Sequence, residues 1–220
     1  MSSTRQFFDK ALEEHQQAIL RMGSLVEQAI YKAVHSLATQ NVEEAKEVIS
    51  GDNSIDQMEL EIEDKCLKLI ATQQPIASDL RKISTGFKII TDLERMADLA
   101  VDIAKVTRRL NGEALIKPLV DIPRMAALAQ QMVKDSLDAY VRSDVNLAGK
   151  FEEKDDEIDH LYDQIFRELL VFMMQDPRTI TQATYLLFVG RYIERIADHA
   201  TNITERVIYM VTGERPEKTE

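Results

Sequence analysis

Apolar residues recur at three- and four-residue steps along most of the chain, the repeat of an amphipathic helix. Between residues 77 and 111 the stripe runs through Leu80, Ile83, Phe87, Ile90, Leu93, Ala97, Ala100 and Ile103. Pro75, Gly112 with Pro118 and Pro123, Pro177, and Gly213 with Pro216 punctuate such stripes, because these residues stop helices or follow their ends. Two further boundaries come from caps. Asn41-Val42-Glu43-Glu44 sets an Asn three residues ahead of a Glu, the capping-box arrangement, and Ser143-Asp144 offers a similar start for the next segment. The pattern predicts an all-α protein with helices over 4–39, 42–73, 77–111, 121–142, 145–175 and 179–212. At about 1.5 Å per residue most are roughly 30–50 Å long, and short connections make successive ones antiparallel. Gly86 and Gly190 fall inside helices, as expected where helices approach closely.

The chain also matches itself. At an offset of 103, Met22 aligns with Met125, Leu25 with Leu128, Val42 with Val145, Asp52 with Asp155 and Asp56 with Asp159. Beyond Pro75 and Pro177 the offset becomes 100, and Glu94-Arg95-Met96-Ala97-Asp98 aligns with Glu194-Arg195-Ile196-Ala197-Asp198. The register changes where a loop is expected, so the repeating unit is three helices. Two tandem, pseudo-symmetric three-helix bundles result, 1–112 and 113–220, joined across Asn111–Pro123.

Composition sharpens this. Average usage over 220 residues would give about 15 Gly and 11 Pro, against 7 and 5 here. A single cysteine, Cys66, excludes a disulfide framework and a cysteine zinc site and fits a small core residue in a reducing compartment. Arg5, Asp9 and Lys10 stand where a secretory signal would be apolar, and no apolar run approaches the roughly 20 residues of a membrane span. A cytoplasmic protein is the expectation. The net charge of −11 repels phosphate backbones and speaks against nucleic-acid partners. Lys105, Arg108, Arg109 and Lys117 cluster in sequence, as cations near a helix C-terminus do.

The repeated residues include acids. Glu94, Asp98 and Asp102 form an i, i+4, i+8 column, and Glu194, Asp198 and Asn202 form its counterpart. Like charges at i, i+4 repel by a few tenths of a kcal/mol per pair, so a cation is expected to offset them. Folding back around residue 75 brings Glu94 level with Asp56 and Asp98 level with Asp52. The turn at 177 brings Glu194 level with Asp159 and His160, and Asp198 level with Asp155 and Asp156. Each copy thus gathers at least four carboxylates between two helices, a donor set for Mg²⁺, Ca²⁺, Mn²⁺ or iron. The same acids also fit a hydrated stripe partnered by Arg95 and Arg195.

Other candidates are weaker. Glu157-Ile158-Asp159-His160 fits the Glu-x-x-His step of di-iron or di-manganese carboxylate bundles, which makes such an enzyme the alternative function. Its counterpart position holds Gln57, however. His199 follows Asp198 within reach of a metal or of a supporting position, while His15 and His35 have no acidic constellation around them. No nucleophile elbow, phosphate loop or dinucleotide fingerprint occurs.

The double Glu-Arg-x-x-Asp motif within a repeated three-helix unit, with Asp79-Leu80-Arg81 after Pro75, resembles the PhoU family of phosphate-transport regulators over essentially the whole chain. That resemblance implies multinuclear metal clusters on the acidic motifs, built of iron, zinc, manganese or magnesium. It implies no enzymatic activity. It also implies negative regulation of the phosphate-starvation response, by bridging the ATPase subunit of a phosphate ABC transporter and a membrane sensor histidine kinase. Apolar helix faces suit a homodimer. Two departures stand out: Asn202 replaces the third acid of its column, and Thr179-Ile180-Thr181 replaces Asp-Leu-Arg in the second copy.

Overall fold

The computed structural model describes residues 3–146 and 148–215. Leu147, and the 216–220 end of the second predicted bundle, lie outside them. Six long helices account for the architecture: α1 (Ser3–Thr39), α2 (Val42–Gln73), α3 (Ala77–Arg109), α4 (Asp121–Arg142), α5 (Ala148–Gln175) and α6 (Ile180–Thr212). No strand occurs among the described residues.

Local chemistry sets the boundaries. The Asn41 side chain accepts a hydrogen bond from the Glu44 N–H at 3.2 Å, capping α2 as its sequence suggests. Gln74 ends α2 in the left-handed conformation, φ 46°, and the chain restarts at Ala77 beyond Pro75. Ser143 behaves differently from expectation. It closes α4 as a left-handed C-cap, φ 53°, while Asp144 accepts from the Asn146 N–H at 2.8 Å, so α5 begins only at Ala148. Asp176 caps a single 3-10 turn over Pro177–Thr179 that leads into α6.

Helices α1, α2 and α3 pack on one another, as do α4, α5 and α6, and the two bundles meet through α3 against α6 and α1 against α4. Roughly half of α3 is buried, whereas α2 buries only Ala45, Val48, Ile55, Ile62 and Cys66. The apolar core runs without interruption through both bundles, from Ile19 and Ile90 to Met125 and Ile196. Linker residues Ala114 and Ile116 are tied to the buried Gln182 side chain, whose amide donates to the Ala114 carbonyl and accepts from the Ile116 N–H.

Polar ties fix the register between α3 and α6. Arg81 Nε donates to the Met210 carbonyl at 3.3 Å, so this arginine secures the end of α6. The buried Asp92 carboxylate receives His199 Nδ1 at 3.0 Å and Arg206 Nε at 2.7 Å. At the far end the Arg109 guanidinium lies 5.5 Å from the centre of the Tyr185 ring. Contact positions descend on α6 as they rise on α3, so the two helices are antiparallel. The cations that cluster in sequence disperse: Lys105 pairs with Asp102 and Lys117 with Glu168.

Gly86 and Gly190 mark close approaches between helices. A Cβ on Gly86 would fall 2.2 Å from the His15 ring and 2.9 Å from Ile19 Cδ1, and one on Gly190 would meet Tyr162 at 3.0 Å. His15 is buried against Cys66, its nitrogens 3.7 Å from the sulfur. Burial, and then the Lys65 charge, lower the His15 pKa to about 4, and burial pushes the Cys66 thiol up to about 12. Both are neutral core groups. Gly86→Ala adds the better helix former, worth roughly 1 kcal/mol, but overpacks this seam; a net loss of about 1–2 kcal/mol is expected in urea unfolding.

Candidate functional site

The acids sit where each outer helix meets its central one. Asp52 and Asp56 flank buried Ile55 on α2, and Glu94 and Asp98 flank buried Leu93 and Ala97 on α3. Burying those apolar residues directs the adjacent positions into the seam between the helices. All four acids, with Asp102, are half-buried. The second copy repeats the design around Ile158 and Ile193, with Asp155 and Glu194 half-buried and Asp159 and Asp198 exposed.

Electrostatics places the facing acids within one another's field. Burial raises the Asp52 pKa to about 6, and the charges of Asp56, Asp98 and Asp102 add to the rise against the opposing Lys105. Asp155 is likewise raised to about 6, by burial and then by Asp159, Asp198, Asp156 and Glu194. Burial also raises Glu94, with Asp98 adding and Arg95 opposing. Glu194 rises through burial while its Arg191 hydrogen bond opposes, and Asp159 rises through burial and the Asp198 charge. Burial is the first cause of each rise, and the charges of the neighbouring acids add to it.

The opposing cations are few. Arg95 lies 3.4 Å from Glu94 and 3.2 Å from Asp98, Lys105 holds Asp102 at 2.8 Å, and Arg191 pairs with Glu194. Among the described residues, no group of three or more His, Cys, Asp or Glu side chains converges in metal-holding geometry. The acids share a field without closing into a ligand cage, and a bound cation would require side-chain rotation. The donor chemistry fits hard cations, since every candidate offers oxygen.

Several residues depart from the sequence pattern. Glu59 belongs to the first cluster, its pKa raised by burial with Glu63 and Asp56 adding and a Thr91 hydrogen bond opposing. The three- and four-residue steps from Asp52 through Asp56 to Glu59 and Glu63 carried that signal. Asn202 lines a groove against α3 with Ser84 and Lys88. The Glu-x-x-His pair does not behave as a di-iron motif: Glu157 is engaged by Arg124 of α4 at 2.9 Å, and the His160 ring bonds the Asp156 carbonyl at 2.5 Å. His199 is committed to Asp92. His35 does have an acidic neighbour, Glu44 at 2.6 Å, brought to it by the turn between α1 and α2.

Comparison with known proteins agrees with this architecture. The PhoU domain model matches residues 19–107 and again 122–207. The phosphate-specific transport system accessory protein PhoU homolog of Clostridium acetobutylicum is 46% identical over 213 residues, covering 96% of this chain and 97% of that protein. Its Aquifex aeolicus counterpart is 47% identical over 205 residues, 93% of each chain. The crystal structure of PhoU from Pseudomonas aeruginosa superposes with a TM-score of 0.89 at 38% identity, over 94% of this chain and all of that one. The phosphate transport system regulatory protein PhoU from Streptococcus pneumoniae gives 0.88 at 33% identity, over 96% of this chain and all of that one.

Crowded charge has a measurable sign. Asp155 is raised from 3.8 to about 6, so the folded state holds the extra proton between those values and stability falls as pH rises through that window. In chelator, Asp155→Asn should stabilise the protein at pH 7.5 by about 1 kcal/mol after solvent screening, or roughly 2–4 °C in Tm. At pH 3.5 the two proteins should melt together. Equal melting at both pH values contradicts the raised pKa of Asp155.

Proposed function

The chain belongs to the PhoU family, and we propose that it serves as a metal-binding regulatory adaptor of phosphate-specific transport rather than as an enzyme. In this reading it acts in the cytoplasm and links the ATPase subunit of a phosphate ABC transporter to a membrane sensor histidine kinase, restraining the starvation response while phosphate is plentiful. The names of its relatives, accessory and regulatory proteins of phosphate transport, support the adaptor role. No helix among the described residues is long and apolar enough to cross a membrane, so contact with membrane components would be by docking.

The observation that carries the metal component is the repeated pair of half-buried acidic seams whose charge exceeds that of the neighbouring cations. Iron, zinc, manganese or magnesium held there by Asp52, Asp56, Glu94, Asp98 and Asp102, and by Asp155, Asp159, Glu194 and Asp198, would neutralise the repulsion. It would also fix the outer helix of each bundle against its central one. The cation supplies charge and cross-linking; the helices supply the docking faces. Exposed apolar residues on the outer helices, Leu60 and Leu67 on α2 and Phe166 and Val171 on α5, suit partner or homodimer contact.

Metal analysis of the purified chain should find about two or more ions per chain, with Asp98→Asn and Asp198→Asn each removing part of the content. Metal content insensitive to both substitutions would defeat the carboxylate sites. Independently, immobilised protein should retain the transporter ATPase subunit or the kinase's cytoplasmic region; failure with both, using metal-loaded protein, would defeat the adaptor role.

A further inference from the structure

We propose that the groove between α3 and the end of α6 binds a small phosphate-bearing anion. The groove has a volume of about 470 Å³, within the usual size range of small-molecule sites and larger than a bare oxyanion needs. Three cations line it, Lys88, Arg206 and Arg215, against one acid, Glu205. In a chain of net charge −11 that local reversal of sign focuses anions toward the groove.

The cations are arranged differently from freely mobile surface charges. Arg206 donates through Nε to the buried Asp92 carboxylate at 2.7 Å, and His199 engages the other oxygen of that carboxylate. Its guanidinium is therefore oriented in advance, and its Nη groups make no hydrogen bond among the described residues. Two free Nη amino groups in a fixed plane match the oxygens of a phosphoryl group. Arg215 returns to the groove because Gly213 ends α6 at φ 81°, a conformation open to glycine without strain. The Arg215 guanidinium then lies 5.9 Å from the centre of the Tyr209 ring. Lys88 makes no ion pair among the described residues. Ser84, Thr85 and Asn202 add neutral polar groups.

The internal repeat provides a control. At the pseudo-equivalent seam the positions of Lys88, Arg206 and Arg215 are held by Phe188, Val106 and Leu115. At that other end of the α3–α6 seam Lys105 and Arg109 stand at the positions of Glu205 and Tyr209, but Lys105 is paired with Asp102, so the arrangement of Lys88, Arg206 and Arg215 belongs to one end alone, where Asn202 replaces that acid. Packing two central helices does not require these charges.

Isothermal titration of the full chain with inorganic phosphate and, separately, glucose 6-phosphate tests the site. One anion should bind per chain, and Lys88→Ala/Arg215→Ala should weaken it by about tenfold or more. Glu205→Gln, which removes the opposing charge, should tighten it. Tighter binding of glucose 6-phosphate identifies a phosphate ester as the occupant, and equal affinity identifies the free ion. Both substituted cations are exposed, so folding should survive; Lys88→Ala alone and Glu205→Gln carry the test if the double variant unfolds. Absence of saturable binding by either anion, or unchanged affinity in the cation variants, overturns the proposal.

Discussion

Each central helix must satisfy three neighbours at once. α3 packs against α1, α2 and α6, and α6 against α4, α5 and α3, which leaves only narrow flanks free of apolar contact. Those flanks, along the seams with α2 and α5, are where the acidic columns lie. The crowding of carboxylates follows from this geometry, because a helix enclosed on three sides presents its remaining polar residues in a single file. Hydrophobic burial holds that file together against its own repulsion, since each acid adjoins core residues such as Leu93, Ala97 and Ile193.

The fold was largely legible because it rests on periodicity and punctuation. Helix α3 announced itself through an unbroken apolar stripe, and the change of offset from 103 to 100 marked the hairpin loops. Ser143 misled because an αL C-cap and an N-cap draw on overlapping residue types, and only the backbone conformation separates them. The facing acids could be placed by counting outward from Pro75 and Pro177. What counting could not supply is which flank each side chain takes: Glu157 and Asp159 are two residues apart, yet Glu157 goes to Arg124 on α4 while Asp159 feels Asp198 on α6.

The contact of Asp92 with His199 and Arg206 was invisible for a related reason. It crosses between copies, so neither the repeat nor the hairpin arithmetic points to it, and its pseudo-equivalent is the chemically unrelated Tyr192. A buried carboxylate is costly to desolvate and adds little net stability over apolar packing, while removing one partner strands the others. Its effect here is on register: sliding α6 by a turn along α3 would separate the carboxylate from both of its donors. Arg81, which belongs to the sequence motif after Pro75, works similarly by holding the Met210 carbonyl.

The shared core between the two copies bears on how such a chain arose. An ancestor of half this length would have exposed the α3 face now covered by α6, and would have had to cover it with a second molecule of itself. Joining the two copies in one chain makes that pairing permanent and removes its dependence on concentration. It also frees the two sides from identity, as Asp92 against Tyr192 and Lys88 against Phe188 illustrate. A twofold symmetric precursor has to place any new side chain at both ends of its axis; the fused protein can specialise one end alone.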